Sequence, residues 1–113
     1  MQRVYRIVSL QEWHNIQDRG YILASKVDVE YMHLSLKESV EETANLYFPP
    51  SEQLMVLEIN AERLTERLLF EPVESRNNAI FPHYYDNSIP LSCVTRSIRL
   101  HFEPEMGFHF ESS

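Results

Sequence analysis

Residues 31–47 read YMHLSLKESVEETANLY, and two hydrophobic periods meet within them. Alternation over Tyr31–Ser35 places Tyr31, His33 and Ser35 on one face and Met32 and Leu34 on the other, as in a short β-strand. The histidine is therefore expected to lie on the face away from the apolar side chains.

The second period is helical. Ser35 with Glu38 matches a capping box, and apolar residues then recur on one stripe up to Tyr47. Pro49 and Pro50 end the pattern because proline cannot continue a helix. The stretch predicts a strand followed by a helix over residues 36–47.

The residues before this stretch predict another strand and helix. Val4–Val8 is β-branched and aromatic, which favours a first strand. Ser9 and Glu12 form a capping-box pattern, and Gly20 is a C-terminal stop, so we expect a helix over residues 10–19.

The second half of the chain predicts mainly strands. Leu54–Ile59 is almost continuously apolar, as in a central strand, and Asn60 is placed to cap a short helical turn. Further extended segments are expected at Leu68–Glu71, Thr95–Phe102 and Gly107–Phe110. Phe81–Tyr85 is predicted to be an edge strand or a rigid pocket wall, since Pro82 cannot donate to a ladder.

The order of these elements favours an α+β domain over repeated βαβ units. At 113 residues, the chain has the length of one domain, covering residues 1–113.

The composition of the chain limits the kinds of partner and the environment that we expect for it. A net charge of −7 and the lack of a concentrated basic face argue against binding to nucleic acid. No apolar run reaches the roughly 20 residues of a membrane span. Because Cys93 is a lone cysteine, the sequence predicts a cytoplasmic protein without an internal disulfide.

The sequence disfavours three kinds of site: a metal site, a cysteine nucleophile and a glycine-rich phosphate loop. The five histidines do not fall at recognised zinc spacings, so no metal site is predicted. Cys93 could pair with His83 or His101 as a nucleophile, but its apolar neighbours favour a buried, inert thiol. Two glycines in the whole chain are too few for a glycine-rich phosphate loop.

Three candidate sites remain: Tyr5-Arg6, His33 with Ser35, and the segment from Glu71 to Tyr85. His33 could instead be a structural histidine, with Ser35 only a helix cap. The aromatic residues of Phe81–Tyr85 could form a hydrophobic edge or sandwich a flat heterocycle.

The residues His33-Leu34-Ser35 before a helix, Leu54–Leu64, and Phe81-Pro82-His83-Tyr84-Tyr85 resemble the bacterial family catalogued as domain of unknown function 952. The resemblance covers nearly the whole chain. The family pattern has glycines where this chain has Glu30 and Asp86, so the local backbone is expected to differ at those positions.

That family in turn resembles the RNA 2′-phosphotransferases and ADP-ribosyltransferases. The resemblance implies an ADP-ribosylation-like fold, with a split mixed or antiparallel sheet and two main helices around a cleft that holds NAD. It places a nucleotide ligand against seven residues, namely Arg6, His33, Ser35, Phe81, His83, Tyr84 and Tyr85.

The implied reaction is cleavage of the nicotinamide–ribose bond, for which a carboxylate near the ribose stabilises the transition state. Glu71 is the candidate catalytic residue. Two alternatives stay open: a non-catalytic ligand- or protein-binding module of the same fold, and a partner-binding domain whose histidines only pack.

Overall fold

A computed structural model describes residues 2–111 of the chain. Its two α-helices are α1 (Leu10–Arg19) and α2 (Val40–Tyr47). Its strands are β1 (Arg3–Ser9), β2 (Tyr21–Leu23), β3 (Met32–His33), β4 (Leu54–Asn60), β5 (Leu68–Val73), β6 (Ala79–Tyr84), β7 (Ser88–Pro90), β8 (Val94–Glu103) and β9 (Gly107–Phe110). No helix in the described part is long and apolar enough to cross a membrane.

The largest sheet has the strand order β1-β4-β8-β9, with antiparallel pairing throughout. The central position predicted for Leu54–Ile59 is confirmed, because β4 pairs with β1 on one side and β8 on the other. Val56, Leu57 and Ile59 are completely buried, so both faces of this strand are covered. Asn60 also caps the following 3₁₀ turn, accepting from the Glu62 N–H at 3.0 Å.

Two smaller antiparallel sheets, β3-β6-β5 and β2-β7, complete the structure. A single β-bridge connects the first of them to the large sheet: Tyr5 donates to the Ser35 carbonyl at 2.8 Å, and Ser35 donates back to the Tyr5 carbonyl at 2.7 Å. The predicted α+β class is confirmed, with mostly antiparallel strands and two helices.

Helix α1 agrees with its predicted bounds, and Ser9 Oγ accepts from the Glu12 N–H at 3.0 Å. The predicted start of the second helix was wrong. Lys37–Ser39 form a 3₁₀ turn, and α2 begins only at Val40. Ser35 does not cap it, because the bridge to Tyr5 keeps the Ser35 backbone in the sheet and Leu36 is still extended.

The edge-strand alternative for Phe81–Tyr85 was also wrong, because β6 lies between β3 and β5. Pro82 is tolerated there since it takes part in pairing as an acceptor: its carbonyl receives the Leu34 N–H at 3.2 Å.

The two faces of the large sheet carry separate apolar clusters. On one face, Val4 and Val8 pack with Ile16 of α1. On the other, Tyr5 packs with Val40 and Ala44 of α2. By alternation, Arg6 lies on the same face as Val4 and Val8, so its cationic side chain enters an apolar region.

Candidate functional site

A cavity of about 1050 Å³ lies beside Arg6–Val8 of β1. Its wall includes parts of the loop over residues 24–28, the end of α2, and strands β3 and β6. This volume is at the upper end of the range of small-molecule sites, roughly 300–1,000 Å³.

Five of the predicted site residues line this cavity: Arg6, His33, Ser35, Phe81 and His83. Glu71, Tyr84 and Tyr85 are not part of the lining. The fold thus brings five of the eight sequence-predicted residues to one cavity, and their role in binding stays a prediction.

The centre of the site is a buried ion pair between Arg6 and Asp28. The guanidinium donates to both Asp28 carboxylate oxygens, at 3.2 and 2.7 Å, and also to the His33 carbonyl at 3.0 Å. The Asp28 side chain is 0% exposed and that of Arg6 is 9% exposed. Arg6 is therefore a buried, paired cation and not a free surface arginine.

Asp28 also holds His33 and the start of its own loop. Its Oδ1 lies 2.8 Å from His33 Nδ1 and accepts the His33 backbone N–H at 3.0 Å, while Oδ2 accepts the Ser25 N–H at 2.7 Å. Burial alone would raise the pKa of Asp28, but the hydrogen bonds from His33 and Arg6 outweigh it and hold that pKa well below its ordinary value. Asp28 is ionised at neutral pH and fixes the cavity wall.

One buried donor in this cluster is unsatisfied. Arg6 Nε has no hydrogen-bond partner within the described residues. A buried unpaired N–H costs free energy, so this cluster carries one uncompensated donor.

A second cluster surrounds Glu71. Its Oε1 lies 2.8 Å from His83 Nδ1 and accepts the Tyr85 hydroxyl at 2.6 Å. The hydrogen bonds from Tyr85 and His83 lower the pKa of Glu71, and the bond to Glu71 raises the pKa of Tyr85 to about 12. Glu71 is thus a carboxylate that orients His83, and Tyr85 is a neutral phenol.

Tyr31 joins the two clusters. Its ring stacks on His83 with centroids 3.9 Å apart and lies 4.9 Å from the His33 ring. Burial raises the pKa of the Tyr31 hydroxyl, so this side chain is neutral at physiological pH.

Ser35 and Tyr84 have mainly structural surroundings. The backbone of Ser35 forms the bridge to Tyr5. Tyr84 is buried in the apolar cluster with Met32, on the opposite face of β6 from His83. Cys93 is buried in the same cluster, as its apolar neighbours predicted.

Sequence reasoning missed Asp28 and Arg76. Asp28 lies in a segment without periodicity, and no local pattern connects it to Arg6, 22 residues earlier. Arg76 lines the cavity with its guanidinium 4.7 Å from the Phe81 ring centroid, and it donates to Glu42 at 2.5 Å. An arginine beside a loop gives no signal of such a contact.

Within residues 2–111, no group of three or more His, Cys, Asp or Glu side chains is arranged to hold a metal ion. Among the described non-glycine residues, only Asn77 and Asn78 have positive φ, so Glu30 and Asp86 occupy the family's glycine positions without left-handed backbone.

Comparison with protein families gives a match over residues 7–97 to the family described as protein of unknown function, DUF952. The chain belongs to this family. The match spans the cavity residues from Ile7 to His83, and Arg6 lies one residue before it.

Solved structures of a relative have the same fold. The crystal structure of protein CC0527 from Caulobacter crescentus is 33% identical, with a TM-score of 0.84 over 96% of this chain and 94% of that one. The solution NMR structure of CC0527 is 34% identical, with a TM-score of 0.79 over 95% and 91% of the two chains. No curated protein matches the chain.

Proposed function

We propose that this protein binds an anionic, aromatic small molecule of the nucleotide class, NAD or a related nucleotide, in the cavity beside β1. The observation that carries the proposal is the charge of the wall. The chain has a net charge of −7, yet four cationic side chains line the cavity against two carboxylates, Glu12 and Asp28. The cations are Arg6, Arg19, Lys26 and Arg76.

Two of these cations are placed to meet a phosphate. Lys26 makes no ion pair within the described residues, and the partner of Arg76, Glu42, is 70% exposed and outside the lining. The Arg76 side chain itself is only 8% exposed, so a phosphate that took the place of Glu42 would supply the counter-charge that this buried guanidinium needs, through a bidentate contact.

Aromatic surfaces lie in the same wall. Tyr31 is stacked on His83, and Phe81 lies beneath the Arg76 guanidinium. Rings with polar tips are suited to holding a flat heterocycle while they hydrogen-bond its substituents.

The split antiparallel sheets agree with the resemblance to the ADP-ribosyltransferase-like superfamily, from which the choice of NAD follows. The arrangement supports binding more than ADP-ribosyl transfer, because the Glu71 carboxylate is outside the lining and already accepts from His83 and Tyr85. The proposal is therefore a nucleotide-binding module in which Glu71 orients His83.

Binding is tested by thermal unfolding and ligand-detected NMR with NAD, ADP-ribose and nicotinamide. A ligand at 100 times its Kd stabilises the folded state by about 2.7 kcal/mol, which gives a clear shift in Tm. We expect shifts with NAD and ADP-ribose, a smaller shift for the Arg76→Met variant, and no change for the matched Arg99→Met variant, whose arginine lies on β8 away from the cavity.

Absence of any shift or NMR signal change with millimolar NAD and ADP-ribose would contradict the proposal. Release of nicotinamide that is abolished by Glu71→Gln would show cleavage of the nicotinamide–ribose bond instead of simple binding, and a labelled acceptor would then show ADP-ribosyl transfer.

A further inference from the structure

The two histidines of the cavity have the same local arrangement. His33 Nδ1 lies 2.8 Å from the Asp28 carboxylate, and His83 Nδ1 lies 2.8 Å from the Glu71 carboxylate. Both carboxylates have lowered pKa values and are charged at neutral pH. Each histidine is thus held by an ionised acceptor on the same ring nitrogen.

A carboxylate at Nδ1 decides what the other nitrogen can do. It keeps the proton on Nδ1 and fixes the orientation of the ring, which leaves Nε2 to accept or donate a proton. Neither Nε2 atom makes a hydrogen bond within residues 2–111. The site therefore holds two oriented imidazoles with uncommitted nitrogens.

The two rings are also close enough to act on one ligand. Their centroids are 6.3 Å apart with the planes inclined at 66°, and both residues line the same cavity. Tyr31 covers one face of His83 and contacts His33, which keeps the spacing between the rings. A phosphate group in this cavity can therefore contact both imidazoles, and in acid–base hydrolysis one of them acts on the attacking oxygen and the other on the leaving oxygen.

We infer that His33 and His83 form a general acid–base pair that hydrolyses a phosphodiester bond in a nucleotide-sized ligand. One histidine accepts a proton from water at Nε2 as the water oxygen bonds to phosphorus. The bond from phosphorus to the leaving oxygen breaks, and the other histidine gives its Nε2 proton to that oxygen. One water and one diester give a phosphate monoester and an alcohol.

Asp28 and Glu71 are positioning residues in this reaction, and Arg76 and Lys26 are placed to stabilise the charge on the phosphate. The nucleotide class of the ligand rests on the proposed function, but the bond that is cleaved is a phosphodiester, as in a cyclic nucleotide, and not the pyrophosphate of NAD. The reaction itself rests on the geometry of the two histidines. The titratable and charged groups that face the two histidines are Asp28, Glu71, Tyr31, Tyr85 and Arg6. Glu30 lies near the same group of side chains, since its charge helps to raise the pKa of both Tyr31 and Tyr85.

Asparagine is the informative replacement at each histidine. Its side-chain amide nitrogen can occupy the place of Nδ1 and donate to the same carboxylate, so His33→Asn and His83→Asn keep the buried partner satisfied while they remove Nε2. His14→Asn is the matched control, because His14 is exposed on α1 and outside the cavity lining.

The assay follows p-nitrophenolate release from bis(p-nitrophenyl) phosphate, and 31P NMR with 2′,3′-cyclic AMP. General acid–base catalysis contributes about 10²–10⁴-fold, so each histidine variant should lower kcat/KM at least 100-fold and His14→Asn should leave it unchanged. The parent should show a bell-shaped dependence of kcat/KM on pH, and Glu71→Gln should displace one limb of that profile with little change in KM.

No hydrolysis of either probe by the folded parent protein would overturn the inference. Activity retained in both histidine variants, or activity abolished by EDTA, would overturn it as well. Nucleotide binding without hydrolysis would leave the proposed function intact and remove the acid–base pair. Hydrolysis of the probes without binding of NAD or ADP-ribose would keep the pair and refute the proposed ligand.

Discussion

Replacement of Asp28 by asparagine is the sharpest test of the site's architecture. The carboxylate accepts from both Arg6 terminal nitrogens, from the backbone and ring of His33, and from Ser25. Asp28→Asn keeps the size of the side chain but leaves the Arg6 guanidinium buried without its counter-ion.

The size of the expected loss of stability follows from the burial of the Arg6–Asp28 pair. Removing one partner of a buried ion pair costs about 3–5 kcal/mol, because the other charge stays uncompensated. At about 4 °C per kcal/mol for a domain of this size, the Tm should fall by about 12–20 °C. The free energy of unfolding is measured by urea titration followed by circular dichroism.

Asp86→Asn is the matched control. Asp86 pairs with Arg67 at 3.4 Å, but those side chains are 35% and 59% exposed, so its loss should cost less than about 1 kcal/mol. If Asp28→Asn were no more costly than Asp86→Asn, the buried pair would not be what fixes the cavity wall.

Two further predictions concern acid and the glycines. The pKa of Asp28 is lower in the folded protein than in the unfolded chain. Its contribution to stability is therefore complete above the pKa of the unfolded chain and is lost as the pH falls below about 4. The Tm of the parent should fall more steeply with acid than that of Asp28→Asn. Gly20 and Gly107 both have positive φ, but an added Cβ meets open space at Gly20 and collides with Asn45 at Gly107. Gly20→Ala should cost about 1 kcal/mol and Gly107→Ala about 2–3 kcal/mol in urea titrations, and equal costs would show that Asn45 moves away freely.

Local patterns predicted the elements whose signals are local. The almost continuous apolar run of Leu54–Ile59 predicted a central strand, and both faces of β4 are indeed covered. Ser9 caps α1 because its partner, the Glu12 N–H, is only three residues away. The same rule failed at Ser35. There the bridge to Tyr5, across 30 residues of chain, holds the backbone in the sheet and overrides a capping pattern of equal quality.

The sequence likewise predicted only those parts of the candidate site whose signals are local. Alternation placed His33 away from Met32 and Leu34, and its side chain is indeed 53% exposed. Asp28 could not be found in this way, since its function depends on two partners that only the folded chain brings together. Single loop carboxylates are common in any sequence, and nothing in their neighbours marks the one that becomes buried.

The loop that carries Asp28 owes its position to that one side chain more than to apolar packing. Val27 and Val29 on either side of it are 72% and 85% exposed, so they contribute little to the core. Substitutions at these two positions should therefore change the surface beside the cavity at small cost in stability. The ion pair that holds the loop and the side chains that form its outer surface are thus different residues, so the surface can be redesigned while the pair is kept.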